Sequence, residues 1–249
     1  MGKKLLCVLL AACVPGGVHG FTDSLWIVAR DGAPGALVPV QVWLQYEGAG
    51  PDDAISAFDI VLTWDASVCT VEAVTIGAAF VEARWWTGSR IDNEGTAGPP
   101  AVPKIYAVSF SMMPIGPPYL ERGTYLGATI DIRILSSAAP PESVCFDTLM
   151  SAFTPPVFLE FVDKAGISVY VPSFSTDCIH VIPCSCGDCN GDGRVTVADA
   201  IYTSTYIYKC GHVPACEADV NQDSRITIAD AIYTLTYIYK EGPDPCNPP

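Results

Sequence analysis

Hydrophobic and polar residues alternate along the first two thirds of the chain. The alternation is clearest at residues 38–46, 58–64 and 126–134. Side chains of a β-strand point to two faces in turn, so a period of two predicts strands with one buried face. Weaker runs of this kind occupy residues 25–29, 68–74, 104–112, 144–148, 157–162, 167–171 and 177–181. About ten short strands, with no convincing helix over residues 21–182, predict a two-sheet β-sandwich or a barrel.

The pattern changes near residue 183, and an internal repeat follows. Residues 188–209 read DCNGDGRVTVADAIYTSTYIYK, residues 219–240 read DVNQDSRITIADAIYTLTYIYK, and the two stretches are identical at 16 of 22 positions. Apolar residues recur at helical spacing, and each copy ends on a lysine with a glycine soon after, which predicts helices over 197–209 and 228–240. Such a repeat indicates two copies of one supersecondary unit.

Each copy opens with oxygen-bearing side chains at loop positions one, three, five and twelve. They are Asp188, Asn190, Asp192 and Asp199 in the first copy and Asp219, Asn221, Asp223 and Asp230 in the second. A coiled loop with this spacing directs successive oxygens at one ion, and position seven, here Arg194 or Arg225, adds a backbone carbonyl. Hard oxygen ligands in this number suit Ca²⁺, so the sequence predicts two calcium ions. Three carboxylates in one loop repel each other, and we expect the loop to open without the cation.

The two loops differ at position six, where the chain must turn sharply. The first loop has Gly193 there and the second has Ser224. A left-handed conformation at a residue with a side chain costs roughly 1–2 kcal/mol. We therefore expect the second site to bind calcium more weakly.

Each predicted helix carries two apolar stripes. One consists of Val197, Ile201 and Tyr208 and corresponds to Ile228, Ile232 and Tyr239; the other consists of Ala198, Tyr202 and Tyr206 and corresponds to Ala229, Tyr233 and Tyr237. One stripe is enough to pack the two helices together. The other stripe either completes the core of this small domain or is a docking face for a partner.

Residues 187–249 resemble a type I dockerin. The resemblance rests on two loops of the form D-x-N-x-D-x-x-x-x-x-x-D, each followed by one helix without the leading helix of a full EF-hand. It implies a small, mainly α-helical, calcium-dependent domain that binds a cohesin, with loop positions ten and eleven helping to select the partner. Those positions are apolar here, where cellulosomal dockerins carry Ser-Thr. We expect the partner face to include Val197, Ala198, Tyr202, Tyr206, Ile228, Ala229, Tyr233 and Tyr237.

The first domain, residues 21–182, resembles a cohesin more loosely. Residues 35–42, 55–65 and 71–74 are similar to the early strands of that family, including a segment with Phe58, Asp59, Thr63, Trp64 and Asp65 in the order F-D-hydrophobic-T-aromatic-D. The resemblance implies a jelly-roll β-sandwich, and it carries no binding residue. Residues 183–186 then form a short linker to the dockerin-like domain.

Charge and the amino terminus limit the partners and the compartment. The net charge of −14 argues against nucleic acid as a partner, because affinity for phosphate backbones comes from Lys and Arg. Two lysines, an apolar run over residues 5–14 and small residues before Phe21 predict a signal peptide over residues 1–20. An alternative is a lipoprotein acylated at Cys13, because residues 10–13 resemble a lipobox. We therefore expect a secreted or surface-attached protein.

Nine cysteines remain after residue 20, and in an exported protein disulfides are expected among them. They are Cys69, Cys145, Cys178, Cys184, Cys186, Cys189, Cys210, Cys216 and Cys246. The odd number leaves at least one free, buried or paired with another chain. We expect Cys210 to pair with Cys216. Because the ends of a dockerin lie close together, the resemblance also implies a bond from Cys184 or Cys186 to Cys246.

The sequence favours a docking protein over an enzyme. His180 and His212 stand in no nucleophile or metal motif. We expect a cohesin-type partner, either in another protein or in another copy of this chain, where head-to-tail contacts would build filaments. The alternative is a carbohydrate-binding accessory protein with a polysaccharide partner. In that case Trp85 and Trp86, adjacent in a strand, would point to opposite faces and leave one indole exposed for stacking on sugar.

Overall fold

The structure is a computed structural model that describes residues 23–47, 54–83, 85–98, 106–114, 119–149, 151–153, 156–164 and 169–247. The predicted signal peptide and parts of the predicted strands 104–112 and 167–171 lie outside these residues. Among the described helices, none is both long and apolar enough to cross a membrane.

The described residues form fifteen strands and three helices. In chain order these are β1 (Ser24–Val28), β2 (Leu37–Tyr46), β3 (Ile55–Thr63), β4 (Cys69–Ile76), α1 (Ala78–Glu82), β5 (Trp85–Asp92), β6 (Ala107–Pro114), β7 (Gly123–Ile134), β8 (Ser143–Cys145), β9 (Asp147–Thr148), β10 (Ser151–Ala152), β11 (Val157–Phe158), β12 (Glu160–Asp163), β13 (Val169–Tyr170), β14 (Ser173–Ser175), β15 (Cys178–His180), α2 (Val197–Lys209) and α3 (Ile228–Lys240).

Two large sheets pack against each other to form the sandwich. The first has the strand order β14-β1-β2-β7-β4, and the second has the order β13-β12-β3-β6-β5, with β9 also paired to β3. Val40 and Ile130 from the first sheet belong to the same buried cluster as Phe58 and Phe110 from the second. The three clearest alternating segments became β2, β3 and β7, and the predicted β-sandwich is confirmed.

An aromatic cluster lies at the centre of this core. The ring centroid of Phe58 is 5.4 Å from that of Phe80, 5.6 Å from that of Phe161 and 6.1 Å from that of Trp85. Phe80 comes from α1, so the expectation of no helix over residues 21–182 is wrong. With five residues, α1 is too short to show a helical period in the sequence. Strand β5, which the sequence indicated only at Trp85 and Trp86, lies at the edge of its sheet, and half of its residues are exposed, so its alternation is weak.

Three disulfides connect cysteines in the described residues. Cys145–Cys178 joins β8 to β15 within the sandwich, Cys184–Cys216 joins the predicted linker to the segment between the repeats, and Cys186–Cys246 joins the two ends of the repeat region. The resemblance implied a bond from Cys184 or Cys186 to Cys246, and the structure has the bond from Cys186. The expected Cys210–Cys216 bond is wrong, because Cys216 pairs with Cys184 and Cys210 remains exposed at the end of α2.

The first prediction concerns the aromatic core. Phe58→Ala removes a fully buried ring from the core that lies between the two sheets. We expect the free energy of unfolding to fall by about 3–5 kcal/mol. Phe158→Ala is the control, because that ring is 46% exposed, and it should change stability by less than about 0.5 kcal/mol. Urea unfolding followed by tryptophan fluorescence measures both. Equal losses in the two variants would contradict the placement of Phe58.

The second prediction concerns the three cysteines of the described residues that form no disulfide, Cys69, Cys189 and Cys210. Burial, followed by the nearby charge of Asp65, raises the pKa of Cys69 to about 12, and burial raises the pKa of Cys189 to about 11. The thiolate is the reactive form, so in native protein beginning at Phe21 only Cys210 should react with iodoacetamide at pH 8. Mass spectrometry should show one modification in native protein, three after denaturation and none in native Cys210→Ser. Native labelling of Cys69 would refute its burial.

Candidate functional site

Helices α2 and α3 begin with the same capping arrangement. The Thr196 hydroxyl accepts a hydrogen bond from the Ala198 N–H at 3.2 Å, and the Asp199 carboxylate accepts one from the Thr196 N–H at 2.8 Å. Thr227, Ala229 and Asp230 repeat these bonds at the start of α3. Such reciprocal bonds satisfy amide groups that have no partner within the helix. Both helices have the bounds that the sequence predicted.

The first loop coils around the side chains predicted as ligands. The Asp188 carboxylate accepts hydrogen bonds from the backbone N–H groups of Asp192 at 3.0 Å and Gly193 at 2.9 Å. The Asn190 side-chain oxygen also accepts from the Asp192 N–H, while Asp199 accepts from the Asn190 N–H at 3.0 Å. Positions one, three, five and twelve are thus tied together by short hydrogen bonds.

The second loop repeats this arrangement. Asp219 accepts from the N–H groups of Asp223 at 3.0 Å and Ser224 at 2.7 Å. Asp230 accepts from the Asn221 N–H at 3.3 Å. At position seven of both loops, the N–H of Arg194 or Arg225 donates to the position-five carboxylate at 3.0 Å. The structure therefore brings all predicted ligand residues of each loop into one coiled segment.

The electrostatics of the first loop fit a cation bound by oxygen. Asp188 and Asp199 have no exposed surface. Burial raises the pKa of both carboxyls, nearby carboxylates raise it further, and backbone N–H groups partly oppose the shift. A divalent cation would offset this repulsion between buried charges. Across the described residues, however, no group of three or more His, Cys, Asp or Glu side chains is arranged so that it could hold a metal ion.

Left-handed backbone distinguishes the two loops. At positions four and six, the first loop has Gly191 with φ 73° and Gly193 with φ 86°. The second loop has Gln222 with φ 58° and Ser224 with φ 67°. Ser224 therefore adopts the left-handed conformation on which the weaker binding of the second site was predicted. Gln222, which the repeat aligns with Gly191, is also left-handed. Each such residue carries a penalty of roughly 1–2 kcal/mol that glycine avoids.

The first loop also packs against the sandwich. The Ala33 N–H, between β1 and β2, donates to the Gly191 carbonyl at 2.8 Å. A Cβ atom at Gly191 would lie 2.8 Å from the Cβ of Ala36 and 3.0 Å from that of Ala215. Gln222, at the same position of the second loop, is exposed. The close approach therefore requires glycine in the first loop.

Arg133 on β7 forms a second contact between the sandwich and the repeats. Its guanidinium donates to both carboxylate oxygens of Glu72, at 2.7 and 3.2 Å, and to the Gly35 carbonyl at 2.8 Å. On the repeat side it lies 3.3 Å from the His212 Nδ1 and hydrogen-bonds Tyr202 of α2. The hydrogen bond that Arg133 donates to Glu72 is the main cause of the lowered pKa of Glu72. Tyr202, one of the expected partner residues, thus contacts the chain's own sandwich.

A groove runs between α2 and α3 and has a volume of about 360 Å³. Large side chains on its rim are exposed, at 61% for Ile201 and 56% for Ile232. We call it the helix groove, and it is lined by Val197, Ala200, Ile201, Ser204, Thr205, Tyr208, Lys209, Ile228, Ala231, Ile232 and Leu235. The exposed stripe is therefore the one that begins with Val197 and Ile201.

The expected partner residues fall into three environments. Val197 and Ile228 line the helix groove, and Ala198 and Ala229 are exposed. The four tyrosines of the other stripe, Tyr202, Tyr206, Tyr233 and Tyr237, are half-buried. Sequence reasoning did not single out Ser204, Ala231 or Leu235 as groove residues. The repeat alignment offered a signal, because Ser204 and Leu235 occupy equivalent positions.

The two tryptophans considered for sugar stacking separate as expected. Trp85 is buried beside Phe80, whereas Trp86 is 52% exposed. A Cβ atom on Gly88 would lie 3.1 Å from the Trp86 ring, so the indole extends over this glycine on the edge strand.

The third prediction tests the contact between the first loop and the sandwich. Gly191→Ala introduces a clashing methyl group at a left-handed position, and we expect the free energy of unfolding to fall by about 1–3 kcal/mol. Gln222→Ala, at the matching position of the second loop, should change it by less than about 0.5 kcal/mol. Thermal unfolding in the presence of calcium measures both variants. If Gly191→Ala and Gln222→Ala change the free energy of unfolding by the same amount, the contact between the first loop and the sandwich contributes nothing to stability.

Comparisons with known proteins find cohesin modules among solved structures. The third ScaC cohesin from Acetivibrio cellulolyticus, solved with the ScaB dockerin, is 17% identical with a TM-score of 0.49, covering 64% of this chain and 99% of that chain. The seventh ScaB type I cohesin from Pseudobacteroides cellulosolvens is 14% identical with a TM-score of 0.48, covering 66% and 94%. A type III cohesin of ScaE from Ruminococcus flavefaciens is 10% identical with a TM-score of 0.48, covering 69% and 96%.

The strand pairing itself establishes the β-sandwich, which is similar to the cohesin modules. No curated protein matches the chain. The family model of the dockerin type I domain matches residues 186–237, which include both loops, all of α2 and most of α3. The type I dockerin that the repeats predicted is confirmed over these residues.

Proposed function

We propose that this chain is a secreted, non-catalytic docking protein whose repeats bind a cohesin-type domain when two calcium ions are bound. The observation that carries the proposal is the helix groove, an exposed apolar surface built from equivalent positions of two repeated helices. In this proposal residues 1–20 are a signal peptide, 21–182 the sandwich, 183–186 a linker and 187–249 the docking domain.

Calcium is proposed because of the donors in the two loops. Asp188, Asn190, Asp192 and Asp199 would hold one ion with the Arg194 carbonyl; Asp219, Asn221, Asp223 and Asp230 would hold the other with the Arg225 carbonyl. When bound, the ion supplies positive charge that offsets the buried carboxylates and fixes the start of each helix. The second site should be the weaker, since Gln222 and Ser224 adopt left-handed conformations without being glycine.

The proposed partner face is the helix groove and its rim. It keeps Val197 and Ile228 from the face expected from the sequence, with Ala198 and Ala229 exposed at the same ends of the helices. Ile201 and Ile232 add large apolar side chains that a partner could bury. Burying such a side chain contributes about 1.5–3 kcal/mol, which makes these two residues the expected centre of the interface. Tyr202 instead helps to hold the repeats on the sandwich through Arg133.

Another copy of this chain is one proposed partner. The repeats contact their own sandwich through the first loop and Arg133, and the residues of the helix groove take no part in those contacts. If the groove accepts the cohesin-like sandwich of a second copy, the two surfaces differ, and such contacts close into rings or propagate into filaments.

Carbohydrate binding is the second candidate function, favoured by exposed tryptophan on the sandwich. Trp86 presents one indole to solvent. A single ring on an edge strand offers a limited stacking surface, so this candidate depends on whether the sandwich provides a larger one.

The fourth prediction tests docking through the groove. An Ile201→Asp, Ile232→Asp double variant places two charges in the proposed interface. It should lose calcium-dependent capture of cohesin-bearing proteins from the source secretome, with affinity reduced about a hundredfold or more. Val213→Asp is the control, because Val213 is 69% exposed and lies outside the groove. Each protein is immobilised, and capture from the secretome is measured first in the presence of calcium and then in the presence of a chelator.

Three results would contradict the proposal. Capture that persists in chelator would remove the role of calcium, and capture by the double variant at wild-type strength would remove the role of the groove. Calorimetry should detect two bound calcium ions per chain, and no uptake would refute the loop assignment. Sedimentation of wild type with and without chelator separately tests self-assembly, and a monomer in both conditions would exclude it.

A further inference from the structure

Two tryptophans stack on each other on the outer face of the first sheet. Trp26 on β1 is directly paired with Trp43 on β2, their ring centroids are 6.4 Å apart, and their planes differ by 13°. The neighbouring Leu25 and Leu44 are fully buried, so the alternation of the strands turns both indoles away from the core. Both rings remain partly exposed. The pair therefore places two partly exposed indoles next to each other.

Amides and hydroxyls surround the pair. The Trp43 Nε1–H donates to the Gln41 side-chain oxygen at 3.1 Å, which fixes the indole and the amide relative to each other. The Gln45 amide donates to Glu47 at 2.7 Å. Strand register places Ser24 opposite Gln45, and Ser175 beside Trp26 on the parallel strand β14. The indoles are therefore set among polar groups that donate and accept hydrogen bonds.

A polar cleft of about 440 Å³ is lined in part by Gln45 of β2. Gln45 connects the cleft to the tryptophan pair, because it follows Trp43 by two residues on the same face of β2 and also lines the cleft. The other lining residues are Tyr46, Glu47, Arg122, Gly123 and Thr124. Its volume falls within the range of about 300–1,000 Å³ that small-molecule sites occupy.

We propose that this face binds a neutral polysaccharide chain. A sugar ring has an apolar C–H face and an edge of hydroxyl groups, and the indoles of Trp26 and Trp43 match the face while the amides and the cleft match the edge. The cleft carries one acid and one base, Glu47 and Arg122, and the whole chain carries a net charge of −14. An acidic protein disfavours an anionic polysaccharide, so the expected ligand is uncharged.

The tryptophan face thus provides a site for carbohydrate binding, the second candidate function on which this proposal rests. Binding there does not depend on docking through the helix groove. A paired tryptophan ladder also stabilises a sheet through cross-strand contact. That role predicts a loss of stability on substitution and no affinity for sugar, so binding measurements separate the two roles.

Purified protein is titrated with cellohexaose, xylohexaose and maltohexaose. Calorimetry and tryptophan fluorescence measure the binding of each saccharide. At least one of these neutral saccharides should bind saturably. Trp43→Ala should weaken that binding about tenfold or more, and Gln45→Ala should weaken it about fivefold. Phe158→Ala is the control, because it removes an exposed ring from β11, which belongs to neither large sheet, and its affinity should equal that of wild type.

Two outcomes would overturn the proposal. One is the absence of binding to all three saccharides and to insoluble cellulose and xylan. The other is binding that Trp86→Ala abolishes and Trp43→Ala leaves unchanged. If Trp43→Ala fails to unfold cooperatively, Gln45→Ala and Arg122→Ala decide the question, since both side chains line the cleft without belonging to the core; wild-type affinity in both would refute the site.

Discussion

The aspartate at position twelve connects each loop to its helix, and the carboxyl-terminal part of the chain depends on this connection. Asp199 accepts hydrogen bonds from Asn190 and Thr196, so one carboxylate closes the loop and caps α2. Asp230 does the same for the second repeat. A buried carboxylate that makes these bonds in its charged form is stabilised by them, whereas burial opposes that charge. A bound cation would shift the balance between these effects, at the same carboxylate that caps the following helix.

The two repeats have nearly the same sequence but different surroundings. The first loop is packed against the sandwich through Gly191, and α2 reaches Arg133 through Tyr202. In the second repeat, Tyr233 instead donates to the Asp244 carbonyl near the chain end. Equivalent residues therefore have separate structural roles. Four equivalent positions of the two helices line the helix groove, so this surface, like the hydrogen bonds of the loops and caps, retains part of the internal symmetry of the repeats.

Local patterns predicted most of this structure, and long-range contacts account for what they missed. The bounds of α2 and α3 could be read from the repeat because periodic apolar residues and the terminal lysine and glycine are local signals. Strand β2 was predicted for the same reason, since its alternation is continuous. The partner of Cys216 could not be predicted, because Cys184 is 32 residues away and only the folded linker brings the two together.

The candidate site shows the same division. The spacing of the oxygen-bearing side chains predicted which residues each loop brings together, and the alignment of Ser224 with Gly193 identified the position where a left-handed backbone would carry a penalty. Which helical stripe faces solvent did not follow, because it depends on where the sandwich holds α2, through an arginine located 69 residues before Tyr202. The Trp26–Trp43 pair is equally non-local, since it arises from strand register rather than from neighbouring residues.

The disulfides Cys184–Cys216 and Cys186–Cys246 set how mechanical tension would travel through the protein. A pull exerted on α3 and resisted by the sandwich passes covalently from Cys216 to Cys184, so the residues between them, with the first loop and α2, are shielded from the load. The second bond holds the chain end near the linker under the same pull. The module could thus transmit force between a tethered partner and the sandwich without being unravelled from its first repeat.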